Sequence, residues 1–226
     1  MKSILTNNQK EVLLTVLMFS AVSTVLLLIR MLVSGSVRLW FLQWNLFLAW
    51  LPLIFAFLIY KRVRTRKDLI WQNGLLAFLW LVFLPNTFYI ITDLIHLQSS
   101  GEVGLLYDTA MITSFVLNGL LLGYMSIYII QRVLNKFIEQ KLIFALMQVV
   151  LLLSAFAIYL GRYLRWNTWD IVANPAGLLF DVSDRIINPG THVHTFVVTG
   201  VFFVLLSSTY IVLLRLYAVV GAHVKQ

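Results

Sequence analysis

The chain has 226 residues, of which 61% are hydrophobic and only 12% are charged, against about 25% charged in ordinary globular domains. Its net charge of +8 would suit a nucleic-acid-binding protein if the basic residues formed one face of a soluble domain, but they lie in the short gaps between apolar runs. Cysteine is absent, which excludes disulfides, thiolate nucleophiles and thiolate metal ligands. Composition therefore predicts an integral membrane protein with no nucleic-acid partner.

Six apolar runs are long enough to cross the hydrocarbon core of a bilayer, which needs about 20 residues of helix. They predict an all-α fold in which residues 1–226 form a single transmembrane domain, a bundle of six helices. The first run is longer than the apolar core of a secretory signal, roughly 7–15 residues, so we expect an uncleaved helix. The runs are residues 12–33, 39–60, 69–84 with an extension to 97, 105–130, 142–160 and 195–216.

The third run contains a proline. As one continuous helix, residues 69–97 would reach about 43 Å, well beyond the hydrocarbon core of ~30 Å. Pro85 removes a backbone donor and disfavours the helical conformation of Leu84. We therefore expect the third helix to be broken or kinked at Pro85, with residues 88–97 forming a shorter segment at the membrane surface.

Four polar residues follow one another in this third run at intervals of 3, 4 and 3 positions, namely Asn86, Tyr89, Asp93 and His96. At about 3.6 residues per turn, this spacing places them on one face of a helix. Ionisable residues at membrane depth usually face protein or a water-filled cavity, and by default they mark a functional site. This polar stripe is therefore where we expect a site.

Lysine and arginine are distributed unevenly between the two sides of the six runs. If the N-terminus is cytoplasmic, 12 of the 17 fall inside and 5 outside, which favours cytoplasmic N- and C-termini. Most acidic and histidine side chains fall on the extracytoplasmic face, so we expect a polar pocket that opens on that side. The residues are Asp93, His96, Glu102, Asp108, Asp170, Asp181, Asp184, His192 and His194.

Two arginines, Arg162 and Arg165, stand at the extracytoplasmic end of the fifth run. Positive charge is otherwise sparse on this side. The two arginines are therefore candidates to neutralise Asp93 or Asp108, or to bind a phosphate. The candidate binding residues are Asn86, Tyr89, Arg162, Arg165, Trp166, Asn167 and Asp170.

The extracytoplasmic loop, residues 161–194, is the one long connection. Asn-Pro and Asn-Pro-Gly turns punctuate it, and residues 176–187 between them have the pattern of a short amphipathic surface helix. In the fourth run, Gly119 and Gly123 form a small-xxx-small pair, which indicates close packing of two helices.

Three motifs suggest a family. They are Leu-Pro-Asn-Thr-Phe-Tyr-Ile-Ile-Thr-Asp-Leu-Ile-His-Leu in the third run, Leu-Tyr-Asp at 106–108, and Leu-Gly-Arg-Tyr-Leu-Arg-Trp-Asn-Thr-Trp-Asp at 160–170. On these motifs the chain resembles the DUF1361 family of bacterial multipass membrane proteins, over roughly residues 40–215. The resemblance implies a protein of the bacterial inner membrane, and it implies no particular activity, substrate or cofactor.

One hypothesis for the polar residues is a divalent metal site. Neutral imidazoles and carboxylates are ordinary ligands for zinc and similar ions. A His-x-His pair points both rings the same way in an extended segment and splays them in a helix. Alternatively, His194 simply begins the sixth span as an interfacial residue. The candidate ligands are His192 and His194 with Asp181 and Asp184, or with Asp93 and His96.

Three other interpretations stay open. In the first, Asp93, His96 and Asp108 are catalytic, with His96 as general base acting on a lipid or lipid-linked anionic group that the arginines hold. In the second, the polar residues form only an ion-pair network in a structural or accessory protein. In the third, the broken helix belongs to a transporter, although the polar groups gather at one face rather than at the midplane. We predict recognition or modification of a lipid; whether the chain is an enzyme, and which proteins it binds, stay open.

Overall fold

The computed structural model describes residues 7–68, 70–97 and 103–223, and every regular element in these residues is a helix. The α-helices are α1 (Asn7–Ser34), α2 (Phe41–Arg62), α3 (Trp71–Tyr89), α4 (Leu105–Leu134), α5 (Gln140–Tyr163), α6 (Asp170–Ala173), α7 (Pro175–Ile187) and α8 (Val193–His223). Two 3-10 helices, Arg66–Asp68 and Ile90–His96, flank α3. The all-α fold is thus confirmed.

Six helical segments in the described part of the chain are long and apolar enough to cross a membrane. They agree with the six predicted runs to within a few residues at most ends, and Leu69, the predicted start of the third run, lies outside the described residues. The prediction of six transmembrane helices is confirmed. The segments are Lys10–Ser34, Phe41–Arg62, Trp71–His96, Leu105–Leu134, Gln140–Tyr163 and Val193–Val219.

The chain divides into two compact units, Met1–Glu139 and Gln140–Gln226, which we call the N-terminal unit and the C-terminal unit. In the N-terminal unit, α2 packs against α3 and α4, and α1 packs against α4. Of the six spans, α4 is the most buried, since 67% of its 18-residue apolar segment lies inside the protein. Fully buried Leu42 and Leu53 of α2 and Phe115 of α4 belong to one apolar core. Helix α4 is therefore the centre of this unit.

Glycine permits the close contact of α4 with α3. A Cβ atom on Gly119 would collide with the carbonyl oxygen of Thr87, and one on Gly123 would lie 2.5 Å from Thr87 Oγ1 and 2.8 Å from Phe88 Cε1. Real side chains do not tolerate such distances, so only glycine fits at these two positions of α4. The small-xxx-small pair has the packing role that its spacing indicates.

Helix α3 continues through Pro85 and changes to a 3-10 helix at Ile90, about one turn later. Side chains bind backbone carbonyl groups around the proline. Asn86 Nδ2 donates to the carbonyl oxygen of Phe83 at 3.0 Å, and Thr87 Oγ1 donates to that of Leu84 at 2.7 Å. Neither of these is the carbonyl group of Leu81, which loses its helical donor at Pro85. The interruption of the third helix therefore falls at residues 89–90, where the helix type changes.

In the C-terminal unit, α5 packs against α8. Ser207 Oγ donates to Gln148 Oε1 at 2.6 Å, and the rings of Phe144 and Tyr210 stack with centroids 6.1 Å apart. The surface helix expected at 176–187 is α7. It begins with Pro175 at its first turn and with the Asn174 side chain accepting a hydrogen bond from Gly177 N at 3.1 Å.

Candidate functional site

The N-terminal unit contains a buried ion pair between α1 and α4. Arg30 is fully buried and Asp108 is 3% exposed. The guanidinium contacts both carboxylate oxygens, with Nε to Oδ1 at 3.1 Å and Nη2 to Oδ2 at 3.4 Å. Arg30 Nη1 also donates to Ser34 Oγ at 3.4 Å. Asp108 thus pairs with Arg30, a cation that the sequence interpretation did not propose for it.

Asp93 of the polar stripe is buried as well, at 1% exposure. It accepts a hydrogen bond from Asn45 Nδ2 at 2.9 Å. His96, in the same 3-10 helix, is half-buried and lies against the ring of Phe41, with centroids 4.8 Å apart. The first turns of α2 therefore supply partners to the polar stripe. The spacing of polar residues within the third run could not identify these partners, because they lie in another helix.

A second line of polar contacts lies deeper in the same unit, between α1 and α4. Asn118 accepts from Ser20 Oγ at 2.9 Å and donates through Nδ2 to Ser23 Oγ at 2.8 Å. Trp50 Nε1 donates to the same Ser20 hydroxyl at 3.2 Å. Each of these side chains is hydrogen bonded to another buried or half-buried one. Such satisfied networks hold helices together in lipid.

The C-terminal unit has its own polar cluster where α5 ends. Arg165 has a backbone φ of +61°, the left-handed conformation that normally favours glycine. Trp166 Nε1 donates to Asp181 Oδ2 at 2.7 Å, which ties the end of α5 to α7. Asp170 Oδ2 accepts from the backbone N–H of Asn167 at 2.6 Å and so closes the turn before α6. Trp166, Asn167 and Asp170 thus build the loop that presents Arg165.

Helix α7 carries a buried arginine, Arg185, which is not among the candidate residues predicted from the sequence. Arg185 is 7% exposed, and its Nη1 donates to the Asp181 backbone carbonyl at 2.6 Å and to Asp181 Oδ1 at 3.3 Å. The i, i+4 spacing of Asp181 and Arg185 is the feature of the sequence from which this ion pair could have been predicted. Asp181 is therefore engaged by both Trp166 and Arg185.

Asp184 lies at the other end of α7. It accepts from Asn188 Nδ2 at 2.7 Å, and its second oxygen lies 2.7 Å from His192 Nε2. The hydrogen bond from Asn188, and next that from His192, hold the pKa of the Asp184 carboxyl below its ordinary value. His194 has a different environment, edge-on to the ring of Tyr163 at 4.6 Å between centroids.

The four predicted metal ligands of the C-terminal unit take part in separate contacts. Asp181 binds Trp166 and Arg185, Asp184 binds His192, and His194 packs on tyrosine. Among the described residues, no three histidine or acidic side chains are grouped to hold a metal ion. In this arrangement the acidic groups act as hydrogen-bond acceptors for the protein itself.

We expect the turn between α7 and α8 to loosen in acid. Because the pKa of Asp184 is lowered in the folded protein, its stabilisation is complete above the ordinary carboxyl value near 4 and is lost as the pH falls through the lowered value. Amide exchange across residues 188–192 should therefore be faster at pH 3 than at pH 5, after correction for intrinsic exchange. Asp184→Asn should abolish the difference, and an unchanged difference in that variant would contradict this role.

The candidate residues fall into two groups. Asn86, Tyr89, Asp93, His96 and Asp108 belong to the N-terminal unit, and all other candidates belong to the C-terminal unit. Within the first group, the carboxylates of Asp93 and Asp108 are buried and bound to other side chains. Within the second group, the acidic side chains are bound to their neighbours, and Arg165 is exposed.

Comparison with known proteins gives a family and no function. The model of the family described as "Protein of unknown function (DUF1361)" matches residues 44–208, well over half of the chain. The search of curated proteins and the search of solved structures each return no match. The matched range includes Asp93, His96, Asp108 and the whole Arg162–Asp170 segment. The chain belongs to the DUF1361 family.

Proposed function

We propose that this protein recognises a lipid or lipid-linked anionic group on the extracytoplasmic side of the bacterial inner membrane, with both of its termini in the cytoplasm. The binding residues are Arg162 and Arg165, supported by Trp166, Asn167 and Asp170. A phosphate or carboxylate is the group that an arginine binds best, because the guanidinium fork matches two acceptor oxygens.

The observation that supports this proposal is the environment of Arg165. The nearby acidic side chains of the C-terminal unit already have partners, since Asp181 binds Trp166 and Arg185, Asp184 binds His192, and Asp170 accepts from the loop backbone. The Arg165 side chain is exposed and makes no hydrogen bond or ion pair with the described residues. Its positive charge is therefore available to an external anion.

The backbone of Arg165 supports the same interpretation. A non-glycine residue in the left-handed region costs on the order of 1–3 kcal/mol, and such strain gathers at functional sites. A glycine would fit there without strain. Trp169 and Tyr163 beside it are half-exposed aromatic side chains, which prefer the headgroup level of a bilayer. This combination favours an arginine held at the height of lipid phosphates.

A second role is favoured for Asp93, His96 and Asp108 by the burial of the two carboxylates. With exposures of 1% and 3%, Asp93 and Asp108 lie in the interior of the N-terminal unit. Arg30 and Asn45 bind them from α1 and α2. We infer that these residues hold the N-terminal unit together, as in the structural interpretation of the sequence, and that His96 is the member nearest to the surface.

Replacing Arg165 by glycine should separate binding from stability. Arg165→Gly removes the cation and relieves the strained backbone, so we expect thermal stability equal to or above that of the wild type. Binding of a polyprenyl monophosphate to the detergent-solubilised full chain should weaken about tenfold, since a charge-assisted hydrogen bond contributes roughly 1.5–3 kcal/mol.

The matched control is Arg38→Ala, which removes another exposed arginine from the same predicted side of the membrane. This variant should bind the polyprenyl monophosphate as the wild type does. Equal weakening in both variants would show that only net charge matters, and unchanged binding in Arg165→Gly would reject Arg165 as the anion-binding residue.

A further inference from the structure

A cleft lies at the opposite end of α3 from the polar stripe, where α2 and α3 are joined. It has a volume of about 390 Å³ and is lined by Arg62, Lys67, Asp68, Ile70, Gln72 and Asn73. Small-molecule sites occupy roughly 300–1,000 Å³, so the cleft can hold a polar headgroup. All of its lining residues belong to the N-terminal unit and none of them is a candidate of the extracytoplasmic site.

The loop that builds this cleft is fixed by Asp68. Its Oδ2 accepts from the backbone N–H groups of Thr65 at 2.7 Å and Arg64 at 2.9 Å, and from Thr65 Oγ1 at 3.0 Å. The Thr65 and Arg64 N–H groups, in that order, hold the pKa of Asp68 below its ordinary value, so the carboxylate is ionised and committed to the loop. Lys67 is thereby held beside the start of α3.

Two basic side chains and the carboxylate of Asp68 line the cleft, so the net charge of its lining is positive by one. Arg62 and Lys67 are exposed, and in the described part of the chain their side chains have neither a hydrogen bond nor an ion pair. Helix α3 begins there without a side-chain cap. The first N–H groups of an uncapped helix carry a partial positive charge that attracts anions. Three sources of positive potential therefore meet at the same place.

Asn73 supplies an independent sign of a ligand. The residue is 6% exposed, and its Nδ2 donates to the backbone carbonyl of Asp68 at 2.7 Å. Its Oδ1 is buried and has no hydrogen-bond partner among the described residues. Turning the amide over would set this oxygen against the Asp68 carbonyl, so the observed orientation is required. An unsatisfied buried acceptor costs stability until a donor binds it.

We propose that this cleft binds a phosphate group whose substituent carries a hydrogen-bond donor, as in a phosphoethanolamine or phosphoglycerol headgroup. Arg62, Lys67 and the first turn of α3 hold the phosphate, and Asn73 Oδ1 accepts from the ammonium or hydroxyl group. Ile70 and Trp71, which are 50% and 73% exposed, offer apolar surface beside the cleft to acyl chains. Basic clefts at the ends of membrane helices bind anionic headgroups in this way.

Native mass spectrometry of the full chain in micelles doped with single lipids tests this proposal. Phosphatidylethanolamine should bind at about one tenth of the concentration required for phosphatidylcholine with the same acyl chains, because the choline headgroup has no donor for Asn73. Arg62→Gln/Lys67→Gln should raise the phosphatidylethanolamine concentration needed by about tenfold or more. Soluble glycerophosphoethanolamine and inorganic phosphate are added as competitors.

The control is Lys61→Gln/Arg64→Gln, which removes the same charge from exposed residues of the same segment that do not line the cleft. It should change binding less than about threefold, because these two cations only add to the general attraction. If glycerophosphoethanolamine displaces phosphatidylethanolamine at an equal concentration, the cleft binds the headgroup and its ligand can be a soluble molecule. The proposal would be overturned if both double variants lost phosphatidylethanolamine binding equally. It would also be overturned if the wild type bound phosphatidylethanolamine and phosphatidylcholine equally well.

Discussion

Arg30→Ala should destabilise the protein by about 3–5 kcal/mol, because it leaves the Asp108 carboxylate buried without its cation. Arg30 is fully buried and Asp108 nearly so, and water cannot readily replace the lost guanidinium. Thermal unfolding in detergent, followed by circular dichroism, measures the effect. Arg38→Ala, at an exposed arginine in the loop after α1, is the matched control and should shift the unfolding temperature little.

The double variant Arg30→Met/Asp108→Leu distinguishes a structural pair from a catalytic carboxylate. Replacing both partners by apolar side chains of similar size is often neutral or stabilising, so most of the stability lost in Arg30→Ala should return. If the ion pair is only structural, the stable double variant should also bind the polyprenyl monophosphate as the wild type does. A stable double variant that had lost binding would instead assign Asp108 to the site and contradict our inference about the N-terminal unit.

Gly119→Ala should also be strongly destabilising. The new Cβ would collide with the backbone oxygen of Thr87, which cannot rotate away as a side chain can. Separating α3 from α4 to make room is expected to cost about 1–3 kcal/mol, as for other overpacked interiors. The measurement is again thermal unfolding of the solubilised full chain.

Gly74→Ala is the matched control for this close contact, because it makes the same substitution in a helix of the same unit. A Cβ at Gly74 would meet nothing within 4 Å. Alanine is the better helix former by roughly 0.5–1 kcal/mol, so Gly74→Ala should be neutral or slightly stabilising. Equal effects of the two substitutions would show that α3 and α4 have room to spare at Gly119.

The membrane helices were predictable because the runs of apolar side chains are long and the gaps between them are short and charged. The glycine pair of α4 was predictable for a similar reason, since spacing within one helix determines which residues share a face. The 3-10 helix after α3 was only partly predictable from the sequence. Pro85 indicated an interruption, but the α-helix continues through the proline and changes to a 3-10 helix only at residues 89–90.

The partners of the ionisable residues were not predictable from local patterns. Arg30 and Asp108 are 78 positions apart, and Asn45 and Asp93 are 48 apart. The sequence places Arg30 near the end of an apolar run, where it serves equally well as a topology signal. His192 and His194 are two positions apart but take different partners, because His192 precedes α8 and His194 lies within its first turn. The partner of each ionisable side chain depends on which helices pack together, and local sequence patterns do not contain that information.

The separation of Arg30 from Asp108 has a consequence for how the chain is made. Arg30 enters the membrane with α1, while the carboxylate that binds it is synthesised 78 residues later, at the start of α4. Until then, an arginine in the last turns of α1 is best placed with its head reaching the bilayer surface. We expect the docking of α4 to move the guanidinium into the protein interior, where it is found in the folded chain. On this order of events, the N-terminal unit is complete only after its last span, α4, has been inserted.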